Sequence, residues 1–485
     1  MLNGYKAMSE AGREKRTYWE KSAMICRRYL SLLTSLFAAL AVWMIFSPGN
    51  MSFDSFMQYR EALTFSYSNW HPPLMSIMLS IVMFYGGGIG TLLLIQCMAG
   101  VLGIRALALV VLEQLSAGRW SPERMRWFAT LAALLMLLPI TPTAFYLVTF
   151  WKDSWEAIFF VWVAAFGMGL FRRAEELSRG AFLMQFGGLV TLMTLAGITR
   201  HNALVAMPAM GGMAWMIFAR RGIRFSWLMV GLPIAASLFA SAAIDRLYSV
   251  ERYHPEDHVK ILELIGLCIT FPECREEFPY IYSHIRTEGE QSYRFGNIFS
   301  LTDPNGPVIK DRLLAFSNRE VVQKEYLHAI SRFPLRLLYV KWRAFCRLFD
   351  PVNIEGCYCQ KRLDSNMYGL WQNTQFGKVR SAMILALEKS AQAPMINWID
   401  YHNVWFSLNF AAILGLLIHL YRHRTSLLAF WILVMAIPLS YSLSYFAATT
   451  GWDYRFLYPS TLFMQVIGLS MAIFYGSQYC ANKNA

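Results

Sequence analysis

The residues best suited to chemistry sit in short polar breaks between long apolar runs. The segment Ser52–Leu74, SFDSFMQYREALTFSYSNWHPPL, holds Asp54, an aromatic-rich stretch and His71-Pro72-Pro73 between two apolar runs. Further along come Trp151-Lys152-Asp153 with Glu156 one turn on, Arg200-His201-Asn202, and Trp452-Asp453-Tyr454-Arg455-Phe456-Leu457-Tyr458-Pro459. A carboxylate at the edge of a membrane span is a costly placement that more often serves chemistry than packing. Such an acid can take or align a hydroxyl proton, while cations hold an oxyanion leaving group as its charge grows. A guanidinium suits phosphate in particular, because its planar fork matches the oxygens bidentately. The same residues have plainer uses: Asp54 as a helix N-cap, His71 as a wall or turn residue, Trp151 and Lys152 as interfacial anchors, and the arginines as snorkelling side chains. Glu156 is harder to dismiss, since a carboxylate inside a helix needs a partner or a cavity.

The elements that must position these residues are membrane spans. Of 485 residues, 56% are hydrophobic and only 15% are charged, against roughly 25% in a soluble domain, and the mean hydropathy is +0.35. Several apolar runs have the length needed to cross a hydrocarbon core about 30 Å thick. Ten spans are predicted, at 30–47, 89–112, 128–149, 154–171, 182–199, 203–219, 225–245, 404–421, 426–447 and 457–478. The apolar stretch 73–86 before Gly86-Gly87-Gly88 is too short to cross and suits an interfacial or re-entrant helix. Every second loop is basic: Arg13, Lys15, Arg16, Lys21, Arg27 and Arg28, then Arg119, Arg124 and Arg126, then Arg172, Arg173 and Arg179, then Arg220, Arg221 and Arg224, then Arg422 and Arg424. This positive-inside pattern predicts a cytoplasmic N-terminus and a retained first span rather than a cleaved signal. Topology thereby explains most of the net charge of +13, and no nucleic-acid partner is expected.

The expected organisation is a cytoplasmic segment 1–29, a transmembrane module 30–245 with its first external loop at 48–88, an external region 246–403, and a second transmembrane module 404–485. The external region is expected to be mostly helical. Its segment HAISRFPLRLLYVKWRAFCRLF is amphipathic and fits a membrane surface. Cys268, Cys274, Cys357 and Cys359 fall in this region, where an oxidising compartment permits disulfides. Cys268 and Cys274 could close a small loop, and a cross-pairing such as Cys274 with Cys357 is an alternative that sequence cannot decide. The spacings do not match a zinc site.

The order of these motifs resembles the GT-C superfamily of polytopic membrane glycosyltransferases, which includes the protein O-mannosyltransferases and the aminoarabinose transferases. The resemblance rests on an acid in the first external loop, a basic residue before Pro-Pro, an acid in the second loop and basic residues in later external loops. It implies that Asp54 activates an acceptor and that Asp153 is a second catalytic acid. It also implies that His71, Lys152, Arg200 and Arg455 hold the phosphate of a lipid-linked sugar donor. His71 stands where many relatives carry Lys. Gln58, Tyr59 and Tyr454 are the expected substrate contacts. The expected partners are a polyprenyl-phosphate-linked sugar, a glycan or lipid acceptor and membrane lipids. The expected location is a bacterial inner membrane, with the site facing the periplasm. Single displacement by the activated acceptor implies inversion at the anomeric carbon. No cofactor is implied, the lipid-linked sugar being a substrate, and dependence on a divalent cation stays open.

No soluble-enzyme motif competes: the chain has no Walker loop, G-x-S-x-G, H-E-x-x-H or Asp-x-Asp. Two other classes remain. An O-antigen-type polymerase or ligase would share the span number and a large external loop with arginines, but not the Asp54 and His-Pro-Pro pair. A transporter would need ionisable groups near the midplane or broken spans in two matching halves.

Overall fold

A computed structural model describes residues 29–223, 226–285, 318–349, 368, 370, 374–393, 395–449 and 454–483. The basic N-terminal residues, Arg224, Cys357, Cys359 and Trp452-Asp453 lie outside the described residues. The chain is an all-α, multi-pass membrane protein. Among the described residues, β pairing is confined to two isolated bridges, Asn50 with Thr149 and Ser68 with Glu251. Among the described residues, eight helices are long and apolar enough to cross a bilayer: Tyr29–Phe46, Ile89–Ser116, Lys152–Arg173, Arg179–Thr199, His201–Arg220, His402–His423, Ser426–Ala447 and Tyr458–Ala481.

Helices Ile89–Ser116 and Lys152–Arg173 run side by side in the same direction through the middle of the bundle. Gln96 meets the backbone at Leu147 and Thr149 near one end. Glu113 and Arg172 form an ion pair at 2.5 Å near the other. The chain between these helices must therefore return from the arginine-rich end to the opposite end, and it does so without a continuous helix. Predicted span 128–149 is built as helix Pro122–Met136, a break, and the five-residue helix Thr143–Leu147. Pro139 and Pro142 cannot donate a backbone hydrogen bond, so the helix stops at Met136, ahead of them, and a new one starts only at Thr143. The carbonyls freed at this depth find other donors, as they must in hydrocarbon: Thr141 Oγ1 donates to Met136 O at 3.0 Å, and Ser154 Oγ to Tyr146 O at 2.7 Å. The buried Gln96 amide spans Leu147 O at 2.8 Å and Thr149 O at 2.9 Å. Predicted span 225–245 is likewise two pieces, the 3-10 turn Ser226–Val230 and helix Leu232–Leu247 with Pro233 in its first turn. Two of the ten predicted spans are thus broken rather than continuous helices.

The stretch predicted too short to cross is the eleven-residue helix Leu74–Phe84. The described parts of region 246–403 are mostly helical. Helices Pro255–Thr270, Arg319–Arg332 and Pro334–Arg347 enclose a second, separate apolar core that includes Ile261, Leu264, Ile265 and Val340. Cys268 and Cys274 are free thiols within that core, so the small-loop disulfide between them is not formed. Cys268 sits on the last turns of its helix among Leu264, Ile265 and Leu267. There a thiol packs as a small hydrophobe, and Arg336 Nη1 donates to Cys274 Sγ at 3.1 Å.

Candidate functional site

The site is assembled at one end of the bundle from loops distant in sequence. Helix Phe53–Thr64 starts at Ser52, whose hydroxyl accepts from Ser55 N, while Ser52 N donates to Ser55 Oγ at 3.0 Å. Ser52 therefore caps the helix, and Asp54 is left to act elsewhere. The same two serines tie the first loop to the second: Trp151 Nε1 donates to Ser52 Oγ at 2.8 Å, and Ser55 Oγ to Phe150 O at 2.6 Å. Two backbone bonds reinforce the tie, Asn50 N to Val148 O at 2.8 Å and Phe150 N to Asn50 O at 3.0 Å.

On this frame the predicted residues meet. Arg455 Nη1 lies 2.7 Å from Asp54 Oδ2, and His71 Nε2 lies 3.6 Å from Asp54 Oδ1. Lys152 Nζ donates to His71 Nδ1 at 2.5 Å. Arg200 forms a buried ion pair with Asp153. The Arg200 guanidinium stands 5.2 Å from the Phe456 ring and Arg455 stands 5.5 Å from it, so both cations lie near one aromatic ring. Burial by itself would raise the Asp54 pKa, but Arg455 and then His71 and Lys152 outweigh it and hold the carboxyl well below the usual range. The acid is thus ionised and a weak base. Burial, with Lys152 beside it, pushes the His71 imidazole down to about 4 against the opposing pull of Asp54. In this neutral form the imidazole carries no positive charge. With Nδ1 accepting from Lys152, its Nε2–H faces Asp54.

A cavity of about 550 Å³ opens beside this cluster, with Lys152 and Arg200 in its wall. Tyr445 lines it from the Ser426–Ala448 helix, and Asn69 and Trp70 from the first loop. The first turns of helix Pro255–Thr270 cover it with Glu256, Val259 and Lys260. That helix is tied down by Glu251 N to Tyr67 O at 2.9 Å and Asn69 N to Glu251 O at 2.8 Å. Neither Asp54 nor Arg455 is in the cavity wall.

The remaining predicted residues fall elsewhere. Gln58 is buried one turn beyond Asp54 on the same helix face. Tyr59 sets its ring edge-on to Tyr368, centroids 5.1 Å apart. Tyr454 stacks on His402 at 4.0 Å, while His402 Nε2 donates to Tyr454 O at 2.9 Å, so its ring packs between spans. Glu156 is fully buried, and neither carboxyl oxygen meets a hydrogen-bond partner among the described residues. Sequence reasoning missed the cover made by helix Pro255–Thr270. Nothing local marks it, because its place over the cavity depends on the long-range pairing of Glu251 with the first loop. It also missed Glu61, which accepts from Ser68 Oγ and Ser76 Oγ, both at 2.6 Å, and so holds the loop that presents His71.

Among the described residues, no group of three or more His, Cys, Asp or Glu side chains could hold a metal ion. No family model matches the chain, and no curated protein or solved structure matches it.

Proposed function

We propose that the protein is a GT-C-like membrane glycosyltransferase moving a sugar from a polyprenyl-phosphate carrier to a glycan or lipid acceptor. In this reading the site faces the periplasm of a bacterial inner membrane. The observation that carries the reading is the meeting of Asp54, Lys152, Asp153, Arg200 and Arg455 from four separate loops beside one cavity with two cations in its wall. Lys152 and Arg200 hold the donor phosphate there and stabilise the charge left on it as the glycosidic bond breaks. Asp153, buried beside it, fixes the Arg200 guanidinium in the cavity wall. Asp54, kept ionised by Arg455, aligns the acceptor hydroxyl and takes its proton late, when the attacking oxygen has become acidic. Arg455 therefore serves the carboxylate, and the donor phosphate falls to the other two cations.

The test is sugar transfer in proteoliposomes supplied with a synthetic polyprenyl-phosphate sugar, alongside surface-glycan mass spectra from cells with and without the gene. Asp54→Asn is expected to cut turnover by about 10²–10⁴-fold with donor binding retained. Arg200→Lys is expected to weaken donor binding by losing the bidentate contact. Near-normal glycan modification by a folded Asp54→Asn protein would remove the base assignment. The weak basicity of Asp54 favours one second reading, a polymerase or ligase in which the cations alone hold a lipid-linked phosphate and Asp54 is only a counter-ion.

A further inference from the structure

At the end of the bundle opposite the candidate site, a second cavity of about 660 Å³ lies between helices Ile89–Ser116, Pro122–Met136 and Lys152–Arg173. Four arginines line it: Arg105, Arg126, Arg172 and Arg173. Only Arg172 has a carboxylate partner in the lining, Glu113 at 2.5 Å. Arg105 is the unusual member, lying eleven residues before the end of its helix, roughly 16 Å inward at 1.5 Å per residue. It donates to two hydroxyls, Thr130 Oγ1 and Ser31 Oγ, each at 3.1 Å, and no carboxylate among the described residues pairs with it. A guanidinium at that depth needs a counter-charge. Two carboxylates, Glu113 and Glu176, also line the wall, so the arginines outnumber the acids by four to two, and the remainder is apolar or aromatic, with Leu109 and Phe166 beside the arginines.

We infer that this cavity is a binding site for the headgroup of an anionic phospholipid, its phosphate among the arginines and its acyl chains along the apolar wall. The argument is charge complementarity at membrane depth. Phosphate supplies the missing counter-charge to Arg105 and Arg126, and a tail satisfies walls that a free phosphate leaves bare. Basic pockets between spans on the arginine-rich side are suited to such headgroups. The site is separate from the candidate catalytic cluster and stands whether or not the transferase reading holds.

The experiment is native mass spectrometry of the full chain, delipidated in detergent and titrated with phosphatidylglycerol or phosphatidylcholine. One retained phosphatidylglycerol per chain is expected, about tenfold or more over phosphatidylcholine, falling to the phosphatidylcholine level in Arg126→Glu/Arg173→Glu. Arg105→Gln, which keeps a donor for Ser31 and Thr130, is expected to weaken retention in the same direction. Equal retention of the two lipids overturns the proposal, as does full retention by a monodisperse double variant. Displacement of phosphatidylglycerol by millimolar inorganic phosphate also overturns it, because the site would then read a free anion and not a lipid.

Discussion

At the scale of single residues, the buried charges predict how the protein answers pH. His71 is neutral in the folded chain with its pKa down at about 4, whereas in the unfolded chain it titrates near its ordinary 6.5. Between these values the unfolded state binds more protons, so stability falls as pH drops from 6.5 to about 4. His71→Gln is expected to flatten that part of a melting-temperature curve, and an unchanged slope would sink the assignment. Asp54 adds a further loss below the ordinary carboxylate range, as its depressed pKa is crossed. Asp400 has the opposite sign. It is buried, neither oxygen has a hydrogen-bond partner among the described residues, and burial pushes its pKa up to about 8. The folded state then binds the extra proton, so stability is lost as pH rises from 3.8 toward 8. Asp400→Asn is expected to raise the melting temperature more at pH 8 than at pH 5, which thermal denaturation at the two pH values would check.

At the scale of elements, the frame of the site is a set of helix ends whose backbone groups are satisfied by side chains. Gln96 carries much of this for the break after Met136, with its amide on Leu147 O and Thr149 O. Gln96→Leu keeps the volume but leaves buried carbonyls without their donor. The expected cost is about 1–3 kcal/mol per group, read as a lower midpoint of thermal unfolding. Gly49 is a second such point. Its φ of +125° is a conformation only glycine adopts freely, and an added Cβ would run into the Leu93 side chain. Gly49→Ala is expected to destabilise the turn that leads into the Asn50–Phe150 pairing and to reduce activity along with stability. Full activity in that variant would show that the tie between the first and second loops does not position the site.

At the scale of the whole molecule, the charges divide by end. Asp54, Lys152, Arg200 and Arg455 gather at one end, and the Glu113–Arg172 and Arg220–Glu175 pairs lie at the other. With thiols introduced into a cysteine-free background, positions beside Asp54, Lys152, Arg200 and Arg455 are expected to label from the outer face of the membrane only. Positions beside Arg119 and Arg172 are expected to label from the inner face only. Labelling of the Asp54 neighbours from the inner face would reverse the charge-based orientation.

The sequence by itself determined the all-helical membrane class and most of the crossings, because hydropathy and span length accumulate locally along the chain. It also picked out Asp54, Lys152, Asp153, Arg200 and Arg455 as polar residues lying at the ends of apolar runs. The local signal was poorer where two tendencies competed: segments 128–149 and 225–245 were apolar enough to read as spans, yet their prolines interrupt the helix. Tertiary structure alone decided the partnerships. Asp54 pairs with Arg455 from the far end of the chain, Lys152 donates to the His71 ring, Tyr454 turns to His402, and Cys268 and Cys274 remain thiols. These outcomes depend on which helix ends pack together and how deeply each group is buried. Charge state and ion-pair partner follow from that three-dimensional surrounding, which no window of neighbouring residues contains.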